Sequence, residues 1–345
     1  MSRSGPGKPT VLTPRRPTRR IRVGSVAVGG GAPISVQTMT KTDTRDVRAT
    51  VRQIREVTAL GCDIVRLAVV DEDAARALRK IRRQVSVPLI ADIHFDHKLA
   101  LAALAAGVDG LRINPGNIGS VANVREVVRA ARERKIPIRI GVNSGSLEKD
   151  LLVKYGTSAP AALVESALRH VAILEKLGYH EIKISVKAAD ARRTVEAYRL
   201  LSKKTGYPLH VGVTEAGTLM AGTVRSSVAL GILLAEGIGD TIRVSLTDTP
   251  AREVWAGQEI LRSLGLRGPG PSVTSCPTCG RIQVNVVRAA QAIEEELEKF
   301  FLEHPRAARP TVAVMGCMVN GPGEAKHADI ALAGGQGKFA LYVRG

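Results

Sequence analysis

Two short stretches near the end of the chain hold residues able to ligate metal. Ser-Cys-Pro-Thr-Cys-Gly carries Cys276 and Cys279, and Met-Gly-Cys-Met-Val-Asn-Gly-Pro-Gly-Glu carries Cys317 and Glu324. A Cys-x-x-Cys turn lets two thiolates reach one metal centre. Alone it fits half of a zinc ribbon, a thioredoxin-type redox pair or part of an iron–sulfur site. A zinc ribbon calls for a second Cys-x-x-Cys, and the sequence has none. A thioredoxin pair opens a helix after the first strand of its own domain and needs no third cysteine. The glycines around Cys317 let the backbone approach a bulky group closely. A Gly-Pro-Gly turn then offers to fold Glu324 back toward that cysteine. Three thiolates with one oxygen ligand are unusual for structural zinc. They suit a [4Fe–4S] cube in which one iron keeps a more exchangeable ligand.

A second set of chemically capable residues lies upstream, on β-rich runs. Asp92 and His94, Arg112 and Asn114, the trio Lys183, Ser185 and Lys187, and Arg243 and Ser245 are each spaced two apart. Arg66 and Arg139 stand in otherwise apolar runs, with Asn143 four residues beyond Arg139. Residues two apart on a strand share a face, so each set points one way. Charged strand residues can simply face helices or form buried ion pairs. That reading fits any one arginine, but not basic residues on five strands with only Asp92 and Glu215 as acids. A buried cation needs a partner, and guanidinium forks suit phosphate oxygens. The expected partner is a phosphate-bearing substrate with more than one negative charge. Glu215 reads as an acid or base beside that ligand; the alternative is a counter-ion for Lys187 or Arg243.

The elements that must position these groups follow from periodicity. Eight β-rich runs, over residues 34–39, 63–70, 88–94, 110–114, 137–143, 181–187, 210–215 and 241–246, alternate with helical patterns. One such pattern is Val51, Ile54, Val57, Leu60; another is Val164, Leu168, Val171, Leu174. Asp43, Asp71 and Asp190 are placed to cap helix starts, and Gly61, Gly107, Gly178 and Gly206 to end helices. Strands alternating with helices imply βαβ units, and eight units fit a closed (β/α)₈ TIM barrel, whose site lies at the C-terminal ends of the strands. No Gly-x-Gly-x-x-Gly follows the first strand, against a dinucleotide fold. Residues 265–271, Gly-Leu-Arg-Gly-Pro-Gly-Pro, read as a linker. Beyond it a long amphipathic helix near Val286–Phe301, a strand Thr311–Met315 and two short final strands make a small α/β cluster domain. The expected division is a basic tail over 1–22, a substrate-binding barrel over 23–265 and a cluster domain over 272–345.

Bulk composition agrees. The chain has 345 residues, 44% hydrophobic but only 3% aromatic, so its cores must be built from Ala, Val, Leu and Ile. The formal charge of +18 invites a nucleic-acid partner, but residues 1–22 hold Arg3, Lys8, Arg15, Arg16, Arg19, Arg20 and Arg22 and no acid. That segment, rich in Pro, Ser and Thr and without periodicity, reads as a mobile tail. With no interleaved aromatics and many cations on barrel strands, no nucleic-acid partner is expected. No apolar run reaches the roughly 18 residues of a membrane span, so no membrane association is expected. Cys62, alone between a helix end and a strand, reads as a small buried apolar residue. The sparse cysteines are those of a cytoplasmic protein that uses thiols as ligands.

Between about Arg20 and Lys326 the chain resembles the 4-hydroxy-3-methylbut-2-enyl diphosphate synthase family, in its two-domain bacterial form. The resemblance is carried by residues 36–44, Val-Gln-Thr-Met-Thr-Lys-Thr-Asp-Thr, 91–96, Ala-Asp-Ile-His-Phe-Asp, and 111–119, Leu-Arg-Ile-Asn-Pro-Gly-Asn-Ile-Gly. It continues through 138–150, 236–246 and Cys-Met-Val-Asn-Gly-Pro-Gly-Glu at 317–324. The resemblance implies reductive ring opening of 2-C-methylerythritol 2,4-cyclodiphosphate with loss of water, in the methylerythritol phosphate route to isoprenoids. It implies a [4Fe–4S] cluster on Cys276, Cys279, Cys317 and Glu324, with Asn320 beside it. It implies diphosphate binding by Arg66, His94, Arg112, Arg139, Lys187, Arg243 and Ser245, with Asp92 and Asn143 nearby, and matches Glu215 to the family's barrel glutamate. It further implies a flavodoxin or ferredoxin as electron donor. Finally, it implies a homodimer in which the cluster domain of one subunit caps the barrel of the other.

Overall fold

The structure, a computed structural model, describes residues 12–344 apart from 157–158, 269–271, 305–306, 309, 320, 322 and 324–325. The chain divides into two compact units, Met1–Leu266 and Arg267–Gly345.

In the first unit a short antiparallel hairpin, β1 (Ile21–Val23) and β2 (Val26–Val28), precedes eight parallel strands. These are β3 (Ser35–Met39), β4 (Ile64–Ala68), β5 (Leu89–Asp92), β6 (Gly110–Arg112), β7 (Ile138–Asn143), β8 (Ile182–Lys187), β9 (His210–Val211) and β10 (Thr241–Ile242). They follow one another from β3 to β8, with β10 and then β9 on the other side of β3. A single parallel bridge, Ile184 to Leu209, joins β8 to β9 and completes the ring. The expected (β/α)₈ TIM barrel is therefore formed. Its helices, among them Val47–Ala59, Pro160–Lys176 and Pro250–Ser263, bury one stripe each against the strands. In the first of these Val51, Ile54 and Val57 are buried at the spacing seen in the sequence. Asp71 and Asp190 accept the amides of Ala74 and Arg193 as helix caps. Asp43 does not cap: Asp46 takes the amide of Ala49, and Asp43 pairs with Arg45 instead.

β9 and β10 are shorter than the runs 210–215 and 241–246 that announce them. The ladder still continues a little way, with Arg243 N donating to Val211 O at 3.0 Å and Thr214 N to Ala188 O at 3.1 Å. It ends at Glu215, whose φ of 51° turns the chain off the sheet.

The basic N-terminal segment departs from expectation. Its first eleven residues lie outside those described, but from Thr13 onward it is bound across the N-terminal ends of the barrel strands. Thr13 N donates to Ala235 O at 2.8 Å, Arg16 N to Gly237 O at 3.0 Å and Arg19 N to Gly206 O at 2.8 Å. The Arg15 guanidinium pairs with Asp240 at 2.9 Å, and Arg16 donates to the carbonyls of Ser202, Thr205 and Tyr207. Arginines reaching loop carbonyls hold this strap. It buries no apolar stripe, so hydrophobic periodicity carries no trace of it. The hairpin behind it packs Ile21, Val23 and Val28 against Ile64 and Ile90 and covers the same end of the ring.

In the second unit, β11 (Ser272–Ser275), β12 (Thr311–Met315), β13 (Ile330–Gly335) and β14 (Lys338–Val343) form one sheet in that order. The first three are parallel and the last closes an antiparallel hairpin. The helix Val286–Glu303 covers one face, burying Val286 and Ala290 against Val312 and Val314. Among the described residues no helix is long and apolar enough to cross a membrane.

The strap generates a stability prediction. Arg16→Ala removes bonds to three carbonyls and should cost about 1–2 kcal/mol, a fall of roughly 3–6 °C in the thermal midpoint. A midpoint equal to wild type would show that the strap carries no load.

Candidate active site

Strand register gathers the polar residues named above into a band. Asp92 pairs with Arg112, Arg112 with Arg139 and Arg139 with Lys183 across β5, β6, β7 and β8. Cross-strand partners share a face, and here that face is the barrel interior. Arg112 and Arg139 are 5% and 3% exposed. Asp92 is the hub of the band. Arg112 lies 3.3 Å and Arg66 3.5 Å from its carboxylate, and the His94 ring 3.8 Å. Arg112 donates to a His94 ring nitrogen at 3.1 Å and to Gly141 O at 2.8 Å. A Cβ on Gly141 would sit 2.8 Å from Arg112 Nε, so only glycine there lets the guanidinium lie across β7. Asn114 accepts the Gly141 amide at 3.0 Å and fixes that strand from behind. Asn143 and Lys187 are register partners four residues nearer the strand ends. Ser245 is half-buried beyond β10.

The sequence reading missed two groups here. Glu253, in the first turn of the helix Pro250–Ser263, is 2% exposed. It accepts from Thr38 Oγ1 at 2.7 Å and from Leu246 N at 3.0 Å, and it faces Arg243 at 3.6 Å and Lys41 at 3.1 Å. Lys41 also donates to the carbonyls of Leu246 and Asp248. An acid in a helix's first turn is ordinary, and nothing in the sequence marks this one as turned inward. Glu215, by contrast, is exposed and joins no buried pair among the described residues. Its signature is a left-handed backbone, uncommon for a side chain of that length. Among the described residues the acids paired with this band are thus Asp92 and Glu253; Asp240, also buried, is held by Arg15 at the N-terminal end of the barrel.

They do not balance the cations. Burial lowers Arg112, Arg139, Lys187 and Arg243 from their ordinary values, and mutual repulsion, chiefly with Arg66 and Arg139, adds to the effect. Arg243 comes down to about 10. Burial also opposes ionisation of Asp92, but Arg66, Arg112 and Arg139 together outweigh it and hold the carboxyl below its usual range. Arg112 Nε, Arg139 Nε and Arg243 Nε are buried without a hydrogen-bond partner among the described residues. Such a site is destabilised as it stands and stabilised by any ligand that brings several negative oxygens.

In the second unit the cysteines emerge at one end of the sheet. β11 and β12 are parallel neighbours, with Ser275 opposite Val314, so the chain passes into Cys276 and Gly316-Cys317 side by side. Cys276 N extends the ladder to Val314 O at 2.9 Å, and Gln283 N ties the following loop to Gly316 O at 3.0 Å. Thr278, at φ 58°, turns its amide onto Cys276 Sγ at 3.4 Å. A Cβ on Gly316 would stand 3.5 Å from that sulfur and 2.8 Å from Val286, so glycine keeps the space open. Cys276 is half-buried, Cys279 exposed and Cys317 buried. Among the described residues no three potential ligands are gathered into a metal site. Glu324 and Asn320, the other two residues expected there, lie outside the described residues. Cys62 is buried in the barrel core, its thiol pushed up to about 12 by burial, as its apolar setting implied.

A cation site lacking its anion should trade stability for binding. Lys187→Met, which replaces a buried amine by an apolar side chain of similar length, should stabilise the ligand-free protein by on the order of 1 kcal/mol, read as a higher thermal midpoint. The same variant should lose most of the stabilisation that a diphosphate ligand confers. A variant less stable than wild type, yet equally stabilised by the ligand, would contradict this reading.

Comparison with known proteins adds the family. The GcpE TIM-barrel domain matches residues 18–258, and the GcpE protein C-terminal domain matches residues 272–345. A relative from Geobacter sulfurreducens, named 4-hydroxy-3-methylbut-2-en-1-yl diphosphate synthase (flavodoxin), is 60% identical over 95% of this chain and 91% of its own. One of the same name from Thermodesulfovibrio yellowstonii is 56% identical over 96% of this chain and 93% of its own. Among solved structures, a dihydropteroate synthase from Xanthomonas albilineans is similar at a TM-score of 0.51 and 16% identity, over 72% of this chain and 97% of that one. That likeness reaches the barrel fold alone. Matched through both units by the family's two domains, the chain belongs to the GcpE family.

Proposed function

We propose that this chain opens the ring of 2-C-methylerythritol 2,4-cyclodiphosphate by a two-electron reduction, releasing water and 4-hydroxy-3-methylbut-2-enyl diphosphate. It is an oxidoreductase of the methylerythritol phosphate route, and a flavodoxin, the donor in its relatives' names, supplies the electrons. The observation that carries this reading is the buried band of barrel cations with too few acids. A doubly charged cyclic diphosphate supplies the oxygens that those cations lack. The protein acts in the cytoplasm as a homodimer.

Each residue has a task. Arg112, Arg139, Lys187 and Arg243 bind the phosphate oxygens, joined by Arg66, His94, Asn143 and Ser245. Asp92 and Glu253 hold the guanidinium groups at fixed angles, so little reorganisation is needed when the ligand arrives. Glu215, held at a strained turn beyond β9, delivers the proton with which the substrate hydroxyl departs as water. Thr278 and Gly316 shape the turn around Cys276, with the Thr278 N–H donated to its sulfur. The thiolates of Cys276, Cys279 and Cys317, with the Glu324 carboxylate, are the set that would hold a [4Fe–4S] cluster. Bound there, the cluster would supply single electrons and a Lewis-acidic iron. Asn320 orients groups beside it.

Anaerobic purification tests the reading first: brown protein absorbing near about 400 nm supports it, and a colourless zinc protein defeats it. Cys317→Ser should lose iron and turnover together. Glu324→Gln should keep the thiolate-bound iron and lose turnover of the cyclic diphosphate. Unchanged activity in Cys317→Ser would overturn the whole assignment.

A further inference from the structure

Two groups inside the barrel have no role in the scheme above. Lys183 stands on β8 in register with Arg139, and His210 begins β9, the strand joined to β8 by the bridge at Ile184 and Leu209. Lys183 is 1% and His210 0% exposed. Lys183 Nζ and both ring nitrogens of His210 are buried without a hydrogen-bond partner among the described residues. The ionisable groups facing the pair are Arg139 on β7, Arg66 on β4, Lys187 on β8 and, before β10, Asp240. Asp240 is already engaged by Arg15, Thr18 Oγ1 and the amide of Leu209. A charged ammonium at Lys183 would thus be dry, unpaired and repelled. Burial first, then Arg139 and Arg66, bring Lys183 down to about 7. Burial, then Lys187, holds His210 well below its ordinary value.

We propose that Lys183 is a proton acceptor built into the anion site. It is mostly neutral in the free protein at about pH 8, takes one proton from solvent when the cyclic diphosphate docks on Arg139 and Lys187, and donates an N–H to neutral His210. This rests on the proposed function and deepens it. The proton goes from water to Lys183 Nζ, and no bond of the substrate is touched. The reduction that follows consumes two electrons from the donor and one proton, releases water, and leaves the diphosphate with one more negative charge. The ammonium formed at docking offsets that growing charge. The direction in pH follows: docking raises the affinity of Lys183 for its proton, so uptake is about half near pH 7, fades below it, where the free protein is already charged, and grows toward one above it until the raised affinity of the bound state is passed.

The ligand itself simplifies the test. Each of its two phosphates bears a single strongly acidic hydroxyl, so protons exchanged near neutrality come from the protein. Calorimetric titration of oxidised holoenzyme with the cyclic diphosphate, without reductant, is run at about pH 8 in two buffers of different ionisation enthalpy, Tris and HEPES. Wild type should take up about one proton per site, and Lys183→Met should bind with uptake near zero. Wild-type uptake retained in Lys183→Met, or wild type binding with none, overturns the proposal and leaves the site reading intact. No binding by wild type defeats the site reading and the proposal together. Should Lys183→Met not fold, Lys183→Gln takes its place, with the same outcomes: uptake near zero supports the proposal, and wild-type uptake overturns it.

Discussion

Charge buried without its counter-charge governs this molecule. Eight parallel strands closed into a ring exclude water from the inward side chains, and in most barrels those side chains are apolar. Here β4 to β8 carry Arg66, Arg112, Arg139, Lys183 and Lys187 inward, and Arg243 follows β10. Asp92 and Glu253 answer only part of that charge. Folding therefore carries the cost of desolvating cations whose partner is not protein, and the remaining apolar packing must outweigh it. The barrel core does this with Val, Ile, Leu and Ala from all eight parallel strands and most of the helices around them.

The two ends of the ring serve opposite purposes. At the N-terminal ends the hairpin, the strap and the Arg15–Asp240 pair satisfy loop carbonyls and shut out water. At the C-terminal ends the backbone is left unusual where a ligand must come close. Gly141 makes room for a guanidinium, and Glu215 holds a left-handed turn. The smaller unit repeats the device on its own scale, with Thr278 left-handed and Gly316 without a side chain beside Cys276. Glu215 and Thr278 share this left-handed backbone with Lys135, Gln336 and Arg344, so the angle alone does not mark a site; it is the neighbouring groups that single these two out.

The barrel was legible in the sequence because alternation of β-rich runs with i, i+3, i+4 patterns is a direct trace of burial. The basic residues on five strands were legible because period two fixes their common face. Glu253 was not, since whether a first-turn acid points outward or into a ring depends on how its helix packs. Nor was the strap, because Arg15 and Arg16 bind carbonyls brought together only by the closed barrel. Asp46 rather than Asp43 caps its helix because a cap is decided by local backbone angles, which composition leaves open. Lys183 was seen as inward-facing, but its isolation became apparent only once Asp240 was found already bound to Arg15.

Crystals of the holoprotein grown with 2-C-methylerythritol 2,4-cyclodiphosphate would test most directly whether the unpaired cations exist for that ligand. Both phosphates should lie within salt-bridge reach, about 4 Å, of Arg112, Arg139, Lys187 and Arg243. A ligand bound elsewhere, with these four side chains facing protein carboxylates instead, would contradict the reading of the barrel as an anion site.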